Sequence, residues 1–206
     1  MDLDPQAVAL AERLRPFTSD PRVVEAIAAV PRGLFVSAPD AYADRALPIG
    51  AGQTISQPLV VARMLDLLAP GPADRVLDVG TGSGWHAALL GRLSRRVWSV
   101  ERIPELAAAA AGALAAAGIS NVEVLVRDGG DGLSEMAPFD RINVAAATPR
   151  SALGPLEAQL GPGGRLVAPV EDEHGDQRLT LVRRDASGSL SREAFEAVRF
   201  VPLVAE

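Results

Sequence analysis

Val76-Leu77-Asp78-Val79-Gly80-Thr81-Gly82-Ser83-Gly84 is an apolar strand that runs directly into a glycine-rich turn. Val97-Trp98-Ser99-Val100-Glu101 follows, a second apolar run that ends in a carboxylate. A strand, a glycine turn, a helix and a strand tipped with an acid make a mononucleotide-binding half-fold. In it the glycines admit a ligand close to the backbone, and the terminal acid can accept both hydroxyls of a ribose. The spacing narrows the ligand. A dinucleotide fingerprint, G-x-G-x-x-G, would put its third glycine where this chain has Trp85; the pattern is instead Gly80-x-Gly82-x-Gly84. No G-K-[ST] follows, so the turn is not a P-loop.

Strands and helices alternate around this stretch. Upstream, residues 5–15 carry helical apolar spacing, and a second helix opens at Asp20 as N-cap with Pro21 at its first position. Pro31 stops that helix near Val30, and the segment from Arg32 to Ala51 reads as irregular, rich in Pro, Gly and Asp. Pro58 begins another helix, with Val60, Val61, Met64, Leu65 and Leu68 on its apolar face. Downstream of the strand at 75–79 come a helix at about 84–93, a strand at 96–101 and an alanine-rich helix from Pro104 to Gly118. Strands at 122–126 and 140–145, a helix at about 151–160, and strands at 164–170, 178–184 and 196–202 complete the order. This alternation predicts a mostly parallel sheet with ligands at the carboxyl ends of its strands. The last strands lack a helix between them, which predicts an antiparallel pair at one edge.

Composition excludes several classes. The chain has 206 residues, 48% of them apolar, the length and core of one domain. Residues 1–70 would supply N-terminal helices and a ligand loop, and residues 71–206 the sheet-based core. No apolar run approaches the length of a bilayer span, and Met1-Asp2-Leu3-Asp4 lacks the basic opening of a secretory signal. Cysteine is absent, which removes disulfides, thiol catalysis and cysteine-ligated metal. His86 and His174 lie far apart with no ligand spacing, so no metal site is expected. A net charge of −6 without a basic block argues against a nucleic-acid partner. All 20 basic residues are Arg, which reflects composition bias rather than chemistry. The expectation is a cytoplasmic enzyme.

Three acids close three successive strands. Asp78 lies inside the first, where an ionised group is costly unless paired. It is a capped structural acid or, if the turn is read as resembling the first motif of class I methyltransferases, it orders the glycine turn or helps hold the ligand's amino group. Glu101 ends an apolar strand opposite the turn and suits a ribose. Asp128, in Val124-Leu125-Val126-Arg127-Asp128-Gly129, is placed to accept from an adenine amine between apolar side chains; an ordinary Asp-Gly turn residue is the alternative. A carboxylate-lined cavity also suits a cationic sulfonium. The Gly80-x-Gly82-x-Gly84 spacing resembles the first motif of class I S-adenosylmethionine methyltransferases.

The rest of the chain narrows that resemblance. Val30-Pro31-Arg32-Gly33-Leu34-Phe35-Val36, Tyr42-Ala43-Asp44 and Pro48-Ile49-Gly50-Ala51-Gly52-Gln53-Thr54-Ile55-Ser56-Gln57-Pro58 resemble the protein-L-isoaspartate O-methyltransferase family. So do Glu101-Arg102-Ile103-Pro104-Glu105-Leu106, Asn121-Val122-Glu123-Val124, Ala137-Pro138-Phe139-Asp140, Leu160-Gly161-Pro162-Gly163-Gly164-Arg165-Leu166-Val167 and Val198-Arg199-Phe200-Val201-Pro202-Leu203. Gln53 to Pro58 is the specific part, since the glycine motif is shared by many methyltransferases. The resemblance implies a Rossmann-like, three-layer α/β sandwich, its mostly parallel sheet ending in antiparallel strands under an N-terminal helical cap. It implies S-adenosyl-L-methionine as cofactor, held by Thr54, Ile55, Asp78, Gly80, Thr81, Gly82, Ser83, Gly84, Glu101, Arg102, Asp128 and Gly129. Thr54, Ile55 and Ser56 would wall the methyl donor from the peptide, with Ser56 as the active-site hydroxyl. Gln57 and the segment Arg199, Phe200 and Val201 would line the peptide cleft. The implied partner is a peptide or protein bearing an isoaspartyl or aspartyl residue, with no nucleic acid, no membrane and no metal, acted on by a monomer.

The implied chemistry asks little acid-base work. A substrate carboxylate with a pKa near ~3.9 is already ionised at neutral pH. Its in-line attack at a sulfonium carbon neutralises opposite charges, so alignment and exclusion of water supply the catalysis. The chain departs from the usual family pattern at Gly129-Gly130-Asp131-Gly132, at Trp85-His86 and at Leu59. These departures leave open a second reading: methylation of an aspartyl residue in a dedicated precursor peptide during natural-product maturation. A nicotinamide oxidoreductase is a third, opposed by Trp85, and a non-catalytic binding module would not need Ser56 and the strand-end acids.

Overall fold

The computed structural model of the chain describes residues 3–203. Its centre is the glycine-rich turn and the two strands that flank it. Strand β3 (Arg75–Val79) leads through the glycine turn into α4 (Trp85–Leu93) and on to β4 (Arg96–Glu101). Asn121 closes the exit from α4: its amide donates to the carbonyls of Gly91, Ser94 and Arg95. Next come α5 (Pro104–Ala116), β5 (Val122–Val126), β6 (Phe139–Val144), a two-residue β7 (Thr148–Pro149) and β8 (Leu160–Glu171). The hairpin strands β9 (Gln177–Arg184) and β10 (Leu190–Ala197) follow. The strand order is β10-β9-β8-β6-β3-β4-β5, with β7 beside β8. From β8 to β5 the sheet is parallel, and β9 and β10 are antiparallel. After β5 the chain returns to the other side of β3, so the order reverses between β3 and β6. A crevice outside the strand ends at such a reversal is where open α/β sheets bind ligands.

The N-terminal helices form a layer on one face. Helix α1 (Pro5–Leu14) is capped by Asp4, whose carboxylate accepts from the Gln6 and Ala7 amides at 2.7 and 3.2 Å. Helix α2 (Pro21–Ala29) is capped by Asp20, which accepts from Arg22 N at 2.9 Å. Helix α3 (Pro58–Leu68) ends at Ala69, in the left-handed region with φ of 49°. Successive strand residues face opposite layers. Val76, Val97 and Val167 pack with Leu10, Ile27, Leu65 and Leu89 of the helical layer. Leu77, Trp98, Ile142 and Leu166 pack with Leu133, Leu153 and Leu156 on the other side.

Three expectations are corrected. The irregular segment 32–51 contains β1 (Leu47–Gly50), which pairs with β2 (Gln53–Ile55) in a hairpin separate from the central sheet. Its strands are too short to show alternation, and Gly50, Ala51 and Gly52 turn with φ of 95°, 50° and 71°. The helix read at 151–160 is a single short turn, α6 (Gly154–Ala158), because β8 starts early at Leu160. The last strand is Leu190–Ala197 rather than 196–202. Ser191-Arg192-Glu193 hid it, because this edge strand is mostly exposed and needs no apolar face. Residues 198–203 run on past it as an irregular tail.

Candidate active site

The glycine turn is stitched to β4. Gly80 N and Thr81 N donate to Val100 O at 2.9 and 3.2 Å. Gly80, Gly82 and Gly84 have φ of 89°, 52° and 87°, where side chains are strained. Glu101, 7% exposed at the end of β4, turns back onto this loop. One carboxylate oxygen accepts from Gly82 N at 2.9 Å and the other from Ile103 N at 3.0 Å.

Two cavities meet at this end of the sheet. The first is lined by Gln53, Thr54, Ile55, Ser56, Val79, Gly80, Thr81, Gly82, Ser83, Val100, Glu101, Arg102, Ile103 and Gly129. Trp85, His86, Ala145, Ala146, Val201, Pro202 and Leu203 also line it. The second is lined by Ala46, Gln57, Val60, Ala197, Val198, Arg199 and Phe200. Thr54, Ser56, Ala145 and Val201 border both, so they form a partition one residue thick. The tail is pinned against it. Ala147 N donates to Val201 O and Leu203 N to Ala147 O, at 2.8 and 2.7 Å. Gln177 acts on the tail's other side as a substitute strand: its side-chain oxygen takes Phe200 N at 2.7 Å, and its amide donates to Phe200 O at 3.3 Å.

Asp78, Gly84 and Asp128 line neither cavity. Gly84 caps α4, where an added Cβ would lie 3.1 Å from Ala110 Cβ. Asp128 accepts from Gly130 N at 2.8 Å, the Asx-type bond of a turn, while its neighbour Gly129 reaches the cavity. A Cβ on Gly129 would meet Val79 Cγ1 at 2.5 Å, so the wall there admits no side chain. Asp78 is fully buried beneath the turn. It accepts from Ser99 Oγ at 2.6 Å and from Asn143 Nδ2 at 2.7 Å. With the Ser99 proton committed to Asp78, Thr81 Oγ1 donates to Ser99 Oγ at 2.6 Å, which ties the carboxylate to the glycine turn.

Asn143, Ala145, Ala146 and Ile103 were not singled out from the sequence. Ala145 and Ala146 carry no chemistry of their own to flag them, and only the β6 register puts Asn143 beside Asp78. His86 lines the first cavity with Nδ1 3.3 Å from Asn143 Nδ2. Burial pushes its pKa down to about 3, so the ring is neutral.

Burial pushes Asp78 the other way, up to about 6, against the pull of its Ser99 and Asn143 hydrogen bonds. A raised pKa means that Asp78 favours the fold most when protonated. Its contribution is complete below the unfolded value near ~3.9 and is lost as pH rises through about 6. Between pH 4 and 8 the wild type should therefore lose about 2 kcal/mol of stability relative to Asp78→Asn. Chemical denaturation of both proteins across that range measures it. A pH-independent difference would mean that the carboxyl ionises as easily folded as unfolded.

Comparison with known proteins agrees with this architecture. The family described as protein-L-isoaspartate(D-aspartate) O-methyltransferase (PCMT) matches residues 6–206. A protein-L-isoaspartate O-methyltransferase of Anaeromyxobacter dehalogenans is 53% identical over 188 residues, covering 89% of this chain and 90% of that one. Protein-L-isoaspartate O-methyltransferase 2 of Archaeoglobus fulgidus is 47% identical, covering 100% and 96%. Among solved structures, a Plasmodium falciparum protein described as a beta-aspartate methyltransferase (PCMT), in complex with S-adenosyl-L-homocysteine, superposes with a TM-score of 0.84. It is 25% identical, and the match covers 98% of this chain and 99% of that one. The fold is that of the class I S-adenosylmethionine methyltransferases, and the chain belongs to the protein-L-isoaspartate(D-aspartate) O-methyltransferase family.

Proposed function

We propose that the chain works over its whole length as one methyltransferase unit, transferring a methyl group from S-adenosylmethionine to the free carboxylate of isoaspartyl residues in damaged proteins. The observation that carries this reading is the shared partition: the cavity at the glycine turn and a tail-lined cleft are separated by Thr54, Ser56, Ala145 and Val201. The first cavity fits the cofactor. It offers the backbone of Gly80 to Ser83, the Glu101 carboxylate, and apolar lining from Val79, Val100 and Ile103 beside a Gly129 that tolerates no Cβ. When bound, that cofactor supplies an electrophilic methyl carbon on a sulfonium.

The protein's own residues then have modest tasks. Glu101 serves the ribose and at the same time braces the turn. The substrate carboxylate is ionised at neutral pH, so no general base is required, and His86, its pKa pushed down to about 3 by burial, would make a poor one. Ser56 donates its hydroxyl to the carboxylate and fixes its approach. The β1–β2 hairpin excludes water: Ile49 Cδ1 lies 3.7 Å from where a Gly82 Cβ would stand. Substrate contacts fall to Gln57 and to the tail from Arg199 to Val201, in a monomeric, cytoplasmic enzyme.

The test is transfer of a labelled methyl group to a synthetic isoaspartyl peptide, read as a base-labile ester. Ser56→Ala should lower kcat roughly 10–100-fold, the worth of one hydrogen bond to a charged group, with cofactor affinity nearly intact. Unchanged turnover in that variant would reduce the hydroxyl to a structural role. No ester on the isoaspartyl peptide, with ester formed only on an unmodified aspartyl precursor, would replace repair by biosynthesis.

A further inference from the structure

A fully buried arginine stands behind the partition. Arg32 is 0% exposed, and through Nη1 it donates to the carbonyls of Ala41 and Ala43. Through Nη2 it donates to Arg45 O at 3.1 Å and to Ser56 O at 3.0 Å. Its guanidinium also lies over the Trp85 ring, 5.4 Å from the centroid, and Trp85 opens the helix that follows the glycine turn. Among the described residues no carboxylate bonds to it; Asp40 and Asp44 act only at a distance. Burying a cation without a contacting anion is costly, and an apolar side chain would fill the space more cheaply. What the charge secures is a rigid fork that reaches four carbonyls at once, a geometry that lysine cannot reproduce.

The segment that Arg32 grips holds Ser56's other flank. Asp44, between Ala43 and Arg45, accepts from Gln57 Nε2 at 3.0 Å and from Leu59 N at 2.9 Å. Ser56 is thus held by its own carbonyl on one side and through its neighbour Gln57 on the other. We propose that Arg32 and Asp44 are positioning residues for the methyl transfer, fixing the Ser56 backbone so that its hydroxyl meets the substrate carboxylate in register with the cofactor cavity. The proposal rests on the role given to Ser56 above. It assigns a function to Pro31-Arg32 and Tyr42-Ala43-Asp44, which the sequence had offered only as marks of kinship.

The experiment compares Arg32→Lys and Asp44→Ala with wild type in the full chain. It measures kcat and KM on an isoaspartyl peptide, S-adenosylhomocysteine affinity by calorimetry, and melting temperature. Displacing a reacting group by about 1 Å can cost roughly a hundredfold in rate, so kcat should fall at least about tenfold in Arg32→Lys and several-fold in Asp44→Ala. Cofactor affinity should stay within about threefold in both. Asp44 is exposed, so its variant folds even where the arginine variant does not. In a Ser56→Ala background, Asp44→Ala should cost almost nothing further, because both changes act on one group. Parallel loss of kcat, cofactor affinity and melting temperature would make the clamp merely structural and overturn the proposal. So would an unchanged kcat in Asp44→Ala, or full additivity with Ser56→Ala. A wild type that does not methylate the isoaspartyl peptide would instead remove the activity on which the proposal rests.

Discussion

Glu101→Ala loses at least about two orders of magnitude in affinity for S-adenosylmethionine and for its demethylated product. Hydrogen bonds to a charged group are worth roughly 1.5–3 kcal/mol each, and a carboxylate facing a ribose diol can make two. About 1.4 kcal/mol is a tenfold change in affinity, so the two together exceed a hundredfold. The structure adds a second loss. Gly82 N and Ile103 N donate to this carboxylate, and alanine leaves both amides without it at the rim of the cavity. The turn would then have to be ordered by the ligand itself. Glu101→Gln retains one acceptor and should recover part of the affinity. Calorimetry with S-adenosylhomocysteine decides the matter, and equal affinity in wild type and Glu101→Ala would withdraw the ribose assignment.

An isoaspartyl peptide should be methylated at least about a hundredfold faster than its aspartyl twin. Both carboxylates are ionised at neutral pH and have similar nucleophilicity, so selectivity has to come from placement. In isoaspartate the main chain runs through the side-chain methylene, which leaves the former backbone carboxylate on a shorter arm. A peptide lying in the cleft bordered by Gln57 and the tail must reach across the partition at Ser56 and Ala145. That partition is one residue thick, so the arm's length sets the distance to the methyl carbon. An error of about 1 Å is enough for a hundredfold difference. Paired synthetic peptides that differ only in the linkage measure the ratio, and equal rates would show that the cleft does not read the arm.

Legibility followed periodicity and chain punctuation. The strands at 75–79, 96–101 and 122–126 and the helices opened by Pro5, Pro21, Pro58 and Pro104 could be read directly, since apolar runs and N-terminal prolines are local signals. The β1–β2 hairpin was not legible, because its strands are three and four residues long and its pairing is their only regularity. Edge strand β10 was hidden by its charged residues, Arg192 paired with Glu157 and Glu193 with Arg183. Around the site, the residues around the glycine turn and the Gln53-to-Pro58 string were visible as motifs. Asn143 and Gln177 were not, because their importance exists only across strands: β6 brings the one to Asp78, and β9 brings the other to Phe200.

The hydrogen bonds of the two asparagines bear on how this protein ages. Isoaspartate arises when the amide nitrogen of the following residue attacks an asparagine or aspartate side chain, and the asparagine route requires a pliant backbone and a free side-chain amide. Asn121 and Asn143 are the chain's only asparagines, and each is followed by a β-branched valine at the start or near the end of a strand. Asn121 spends its amide on three carbonyls, and Asn143 is fully buried against Asp78. Deamidation at either would first require the sheet to open. A catalyst for mending this lesion thus has little asparagine chemistry by which to acquire it, and the Asp128-Gly129 and Asp131-Gly132 pairs, outside the sheet, are where aspartyl isomerisation finds a pliant backbone.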